Sequence, residues 1–239
     1  MFIKYSFILI ILICAFSGST AISQSVDVDK KIEDFILKNP EIIIKSLQNF
    51  EKNKEKEKEQ TIKIFLDKNI NTLQNGDGKL FSGRKKSKNI IIEFFDYNCG
   101  YCKKSHEEIK KILLEEKDVK IIYLNLPVLS DNSVELAKIS LAIGIEDKIK
   151  FNKFHDFLLD TKRSPKDDDI RSFIEKLGLD YKKIKNASES EEIKEIINKN
   201  ILMANNLQIG GTPAFIINGE LVSGFVSKKI MISLLKKGS

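Results

Sequence analysis

The run IIIEFF at positions 90 to 95 is followed within four residues by Cys99-Gly100-Tyr101-Cys102 and then by KKSHEEIKKILLEE. A near-continuous apolar run of this length predicts a strand buried on both faces. Beyond the cysteines, Ile109, Ile112 and Leu113 recur at helical spacing. A second apolar run, VKIIYL at 119 to 124, predicts another strand. The dithiol therefore falls at the strand-to-helix turn of a βαβ unit, where the first residue of the pair meets the helix N-terminus.

The rest of the chain frames that unit. Residues 28 to 73 predict two helical pieces. Val28, Ile32, Phe35 and Ile36 make one apolar face, Asn39 and Pro40 cap and open the next helix, and Ile42, Ile43, Ile44, Leu47 and Phe50 make another. The face stops at EKNKEKEKE, 51 to 59, and resumes with Ile62, Phe65, Leu66, Ile70 and Leu73. A helix that is polar all round bridges solvent instead of packing, so this stretch reads as a stalk or a charged linker. The segment NTLQNGDGKLFSGRKKSK, 71 to 88, reads as turns. From about 133 to 206 the pattern is helical, punctuated by Gly144, by Ser164-Pro165, by Gly178, and by Ser188 with Glu191 as a capping box. Residues 212 to 217 return to strand, Asn218-Gly219 marks a hairpin turn, 221 to 225 pair back, and 226 to 237 close as a helix. The strands sum to one mixed sheet with a helical insertion.

Position 1 onward reads as a secretory signal peptide, 1 to 21, with a short positive start, an apolar run from Phe7 to Phe16 and small residues up to Ala21. The expected location is then the periplasm. Of the 3 cysteines, Cys14 lies inside that signal, which leaves Cys99 and Cys102 as the mature thiols. The formal charge of +6 is spread through abundant Lys, Glu and Asp with no basic, aromatic-studded stripe, which argues against a nucleic-acid partner.

A bridge closing so short a loop removes little entropy from the unfolded chain, so stability is a poor reason for the pair. Zinc needs four ligands and no second pair exists, and c-type haem needs His where Lys103 stands. No metal or other cofactor is expected beyond the redox-active disulfide of Cys99 and Cys102. At the helix N-terminus the thiolate of Cys99 is favoured, which makes it the nucleophile, and Cys102, one turn on, the resolving thiol. Glu93 is a charge inside an apolar strand. It is either a buried acid that relays protons to Cys102 or an edge residue facing water. His106, four residues after Cys102, either approaches the site or takes a surface helix position, the reading favoured here, and His155 reads as a partly buried insertion residue.

The acid-bearing strand, the FFxxxCxxC pattern, the helical insertion and the Thr-Pro before a hairpin make residues 90 to 239 resemble the DsbA-like thiol:disulfide interchange proteins of the thioredoxin superfamily. The resemblance implies an α/β thioredoxin fold with an inserted helical domain and, ahead of it, an N-terminal helical stalk. It also implies a cis Pro213 beside the dithiol, Thr212 offering backbone pairing to an extended substrate, Gly210-Gly211 allowing close approach, and Gly100 and Tyr101 tuning the pair. Through FFDYNCGYCK and the Asn39-Pro40-Glu41 helix, the chain is further similar to the suppressor-of-copper-sensitivity C (ScsC) group and the alpha-proteobacterial second DsbA type. Members of that group trimerise through an N-terminal extension and act as disulfide isomerases. The resemblance thus divides the chain into an oligomerisation region at 22 to 73 and a catalytic domain at 74 to 239, with misbridged envelope proteins as substrates and a membrane thiol reductase of the DsbD or ScsB type as partner. The rival is a monomeric dithiol oxidase recharged by a DsbB-type membrane oxidase. A third reading is a binding module whose thiolates hold a client or Cu(I).

Overall fold

A computed structural model of the chain describes residues 20–75 and 80–237. The signal segment expected at 1 to 21 lies almost wholly outside the described residues. The chain divides into two compact units, 1–59 and 60–239.

In the first unit, helix α1 (Thr20–Lys38) ends at Asn39, and helix α2 (Pro40–Asn75) begins at the proline. Asn39 serves both helices. Its side-chain amide donates to the Phe35 carbonyl at 2.7 Å, and its own carbonyl accepts from Ile42 N–H at 3.1 Å. Proline is suited to the first helical position because its missing N–H would have no partner there. The apolar face read from the sequence is solvent-exposed: Val28, Ile32 and Phe35 on α1, and Ile43, Leu47 and Phe50 on α2, are each more than 40% accessible. The charged stretch 51 to 59 is helical.

The second unit is built on a five-stranded sheet, ordered β1-β3-β2-β4-β5. Strands β2 (Ile90–Phe95) and β3 (Lys120–Asn125) are parallel neighbours joined through helix α3 (Gly100–Glu115). Strand β4 (Ala214–Ile217) runs antiparallel to β2, and β5 (Glu220–Ser223) antiparallel to β4. Between β4 and β5, Asn218 and Gly219 both have positive φ (53° and 80°), as a type I′ turn requires. β2 is thus central, and every one of its residues is buried.

Alternation sorts the strands onto two cores. Ile91, Phe95, Ile121, Tyr123, Phe215 and Ile217 face α3 and the helical insertion. Ile92, Phe94, Ile122, Leu124 and Ile216 face the other way, onto Leu66 and Leu73 of α2 and Leu207. Each such side chain stabilises by about 1.5–3 kcal/mol on burial. The insertion comprises α4 (Asp131–Glu146), α5 (Lys148–Asp160), α6 (Asp167–Lys176), α7 (Tyr181–Ser188) and α8 (Glu191–Asn206), and α9 (Lys228–Lys236) closes the chain.

Three expectations need correction. The segment read as turns contains a strand, β1 (Leu80–Gly83), antiparallel to β3. Gly144 does not interrupt the insertion. It lies inside α4, where a Cβ would sit 2.5 Å from Leu80 Cδ2, so its role is to admit Leu80 of β1. Helix α8 is capped by Ser190, which accepts from Ile193 N–H, and not by Ser188, whose hydroxyl donates to the Lys185 carbonyl. At the end of β1, Gly83 has φ +85° and its hypothetical Cβ would fall 2.3 Å from the Val119 carbonyl oxygen. Both strain and clash act on any side chain there. Gly83→Ala is expected to lose at least about 2 kcal/mol in a denaturation experiment, and a loss below about 0.5 kcal/mol would show that β1 tolerates a shifted register.

Candidate active site

Helix α3 starts where it does because the turn after β2 is tied down on both sides. The buried Asp96 carboxylate accepts from Asn98 N–H at 2.8 Å through Oδ1, and from Val128 and Leu129 N–H at 2.9 and 3.1 Å through Oδ2. This links the exit of β2 to the exit of β3. The Asn98 amide in turn reaches Asn132 and Ser133 at 3.0 Å. Cys99 then occupies the N-cap of α3, and its sulfur accepts from Cys102 N–H at 3.4 Å.

Both thiols are free. Cys99 is 7% exposed and its thiol donates to the Thr212 carbonyl at 3.2 Å. Hydrogen bonding from the Cys102 side chain is the main influence that lowers its pKa to about 5, and the Thr212 side chain and the backbone N–H groups of the first turn assist against the opposing pull of burial. The buried Thr212 hydroxyl makes no formal hydrogen bond and is free to turn toward the Cys99 sulfur. Cys102 is wholly buried; burial above all, then its bond to Cys99 and the charge of Glu93, push its thiol far up. One sulfur is thus a thiolate at neutral pH and the other a thiol.

Glu93 is fully buried at the middle of the central strand, in register with Tyr123 of β3 and Phe215 of β4, so the edge-strand reading does not hold. It shares a face with Ile91 and Phe95, toward α3. Burial, with the Cys99 charge second, raises its pKa to about 8. Neither carboxylate oxygen has a hydrogen-bond partner.

The Thr212–Pro213 peptide is cis, and the Pro213 carbonyl accepts from Gly224 N–H at 2.8 Å, which anchors the loop to β5. Gly211 is exposed, with nothing within 4 Å of where a Cβ would be. Gly100 is exposed, and the Tyr101 ring is 64% exposed beside the dithiol. The structure therefore brings Cys99, Cys102, Thr212 and Pro213 together, with Glu93 beneath. No cluster of three or more His, Cys, Asp or Glu suited to a metal exists among the described residues.

Sequence reasoning missed the Asp96 tie and misplaced His106. His106 is 1% exposed, not a surface residue, because it lies one turn after Cys102 on the same face of α3 as Ile109. That i, i+4 spacing was the available signal. His155 is likewise fully enclosed, and its Nδ1 lies 3.0 Å from the Tyr97 hydroxyl.

A parallel pair of strands joined through a helix with a dithiol at its N-terminus, faced by a cis-proline loop and interrupted by helices, defines the thioredoxin-fold dithiol proteins. The family model for the DSBA-like thioredoxin domain matches residues 90–235, and the chain belongs to that family. It is 28% identical over 137 residues to the thiol:disulfide interchange protein DsbA of Pectobacterium carotovorum subsp. carotovorum, a match over 54% of this chain and 66% of that relative, just short of two thirds of the latter's length. Among solved structures, the thiol-disulfide exchange protein alpha-DsbA2 of Wolbachia pipientis superposes with a TM-score of 0.69 at 26% identity, over 75% of this chain and 97% of that one. A linker-deletion mutant of Proteus mirabilis ScsC superposes with a TM-score of 0.68 at 23% identity, over 93% of this chain and 98% of that one, and shares its fold.

Proposed function

We propose that the chain is an exported thiol-disulfide oxidoreductase that works chiefly as a disulfide isomerase on misbridged envelope proteins. The observation that carries the chemistry is the pairing of a stabilised Cys99 thiolate with a protonated, enclosed Cys102. Cys99 attacks a substrate disulfide, forms a mixed disulfide and releases one substrate thiolate. That thiolate, or another, attacks a different sulfur of the substrate, and Cys99 leaves unchanged. When shuffling stalls, Cys102 closes the Cys99–Cys102 bond and frees the reduced substrate. Glu93, which with a pKa near 8 is about one tenth ionised at pH 7, takes the Cys102 proton in that ionised form. Thr212 and Pro213 align the substrate strand, the open Gly210-Gly211 stretch lets it approach, and Gly100 and Tyr101 form the outer rim.

The exposed apolar face of residues 28 to 50 supports association of copies through the region 22 to 73, most simply as a homotrimer. Several dithiols around one client raise the effective thiolate concentration. A membrane reductase of the DsbD or ScsB type would keep the dithiol reduced in the periplasm. The likeness of fold to ScsC extends over 93% of this chain.

One observation favours the oxidase. A nucleophile with a pKa near 5 stabilises the reduced form, and that makes a disulfide a stronger oxidant. The two readings separate on recovery of active ribonuclease from its scrambled, wrongly bridged form. The mature reduced protein is compared with a version starting at residue 60, since Leu66 and Leu73 belong to the buried core. The full protein is expected to restore activity and the shorter one to do so several-fold more slowly. Failure of both, with retained oxidation of a reduced peptide, makes the oxidase reading the right one.

A further inference from the structure

Removing a proton from Cys102 is only half of the step, because Glu93 has no direct way to return it to water. It is fully buried, and its register neighbours are Tyr123 and Phe215. Apart from those of Asn125 and Thr212, the buried side-chain polar atoms that lack partners among the described residues fall in one layer. Glu93 Oε1 and Oε2, Ser105 Oγ, His106 Nδ1 and His155 Nε2 all belong to the layer between the central strands and helices α3 and α5. Buried polar atoms of this kind are normally satisfied, by protein or by internal water.

The histidines continue the layer outward. The Tyr97 hydroxyl lies 2.6 Å from Ser140 Oγ and 3.0 Å from His155 Nδ1. With Ser140 donating to Tyr97 and Tyr97 donating to His155, the His155 proton sits on Nε2, a buried atom without a hydrogen-bond partner. The His155 and His106 rings are 5.2 Å apart, edge to face. His106 Nε2 stands 3.1 Å from Asp156 Oδ1, within ion-pair reach although off the hydrogen-bond direction. Asp156 and Asp160 have half-exposed side chains, and Lys110 pairs with Asp160 at 2.5 Å. Tyr97 and Tyr123 each feel the charges of both Glu93 and Asp156, which places both carboxylates near the same two tyrosines. The titratable and charged groups facing the histidine pair are thus Glu93 and Tyr97 from β2 and its exit, Tyr123 from β3, Cys102 and Lys110 from α3, and Asp156 and Asp160 from α5.

We infer that Ser105, His155 and His106 form the proton exit of the dithiol, passing the proton that Glu93 takes from Cys102 to Asp156 and bulk water. In the resolving step the Cys102 S–H bond breaks and its proton passes to Glu93. The thiolate then forms the Cys99–Cys102 bond while the Cys99–substrate bond breaks, and the departing substrate sulfur keeps the electron pair. In this step the Cys102 sulfur is oxidised and the departing substrate sulfur reduced; over capture and resolution together the dithiol passes two electrons to the substrate disulfide. The Glu93 proton then leaves through the histidine layer, and the reverse path reprotonates Cys102 on reduction. His155 and His106 are positioning and relay residues; neither touches the sulfurs. The inference rests on the assignment of Glu93 as proton acceptor.

The test is single-turnover oxidation of the reduced full chain by excess oxidised glutathione, following release of the second glutathione, a step whose rate no longer depends on glutathione disulfide concentration. Asp156→Asn, at the exposed end, and His106→Gln are each expected to slow that step about tenfold near neutral pH. Added imidazole buffer should restore it, and the Cys99 thiolate titration and the reduction potential should stay unchanged, because a relay alters both directions alike. His155→Gln should behave in the same way, and if it does not fold the other two variants decide. Glu93→Gln separates the inference from its premise. Slow resolution in Glu93→Gln with parental rates and pH profile in Asp156→Asn and His106→Gln overturns the relay alone. Parental resolution in Glu93→Gln overturns the proton-acceptor role and the relay with it. Slowing that imidazole does not relieve makes the histidines packing residues and also overturns the relay.

Discussion

Cys99→Ala is expected to remove dithiol exchange, a fall on the order of a thousandfold or more, because the reacting sulfur itself is gone. Cys102→Ala is expected to do something different and equally large: mixed disulfides with substrate accumulate and persist. With its pKa near 5, Cys99 is thiolate over thiol by about a hundred to one at pH 7, so capture stays fast in that variant. What is lost is release, since the enclosed thiol one helical turn away is the group that attacks the captured bond. Alkylation gives an independent view. At pH 6 iodoacetamide should label Cys99 in the parent and leave Cys102 untouched, because burial both hides Cys102 and holds its proton. The pH dependence of labelling should rise through about pH 5. In Cys102→Ala that midpoint should move upward, because the Cys102 side-chain hydrogen bond is the largest influence lowering it. Mass spectrometry of non-reduced protein after incubation with a scrambled client reads the result directly. A Cys102→Ala protein that captures no client would overturn the assignment of nucleophile and resolving thiol.

Much of this site was legible because the chemistry is carried by short, local patterns. The apolar run of β2, the cysteine at the N-cap of α3 and the Asn218-Gly219 turn each impose a conformation on their own few residues, and the structure has all three. What escaped is what only distant packing determines. β1 is four residues, Leu80–Gly83, with no alternation to announce it. It becomes a strand because Leu80 enters the notch at Gly144, 64 positions later, and because Gly83 fits against the Val119 carbonyl. Gly144 looked like a break for the same reason: a glycine in a helical pattern signals either an end or a close approach, and sequence does not say which. His106 sits among the polar residues Lys103, Lys104, Glu107 and Glu108, which mask its place on the buried face, although its spacing from Cys102 and Ile109 puts it there. Two histidines far apart in sequence, His106 and His155, then meet with rings 5.2 Å apart, a juxtaposition visible only once α5 is laid across α3.

Glu93→Gln is expected to make the protein more stable while impairing it. Glu93 in the folded chain keeps its proton up to about pH 8, whereas in the unfolded chain it releases it near 4.5. Between those values the folded state binds more protons than the unfolded state, so stability falls as pH rises through that window. Glutamine has the same shape and never ionises. Its advantage over the parent should be close to nil below pH 4.5, grow steadily above it, and level off above pH 8 on the order of 4 kcal/mol. Comparing the variant with the parent cancels the opposite contribution of His155, which burial holds neutral and which therefore weakens the folded state as pH falls below 6.5. The Cys99 thiolate is the second cause of the raised Glu93 pKa, so the gain should be larger in the reduced protein than in the disulfide form, where that charge is absent. Chemical denaturation of both redox forms from pH 4 to 9 measures all of this. Unchanged or lower stability of Glu93→Gln at pH 8.5 would mean that the carboxylate is paired or hydrated inside the protein, and the acid beneath the dithiol would then be a structural residue instead of a proton acceptor. A gain in stability joined to slower release of reduced substrate would show that the fold tolerates a destabilising acid at its centre because Cys102 needs it there.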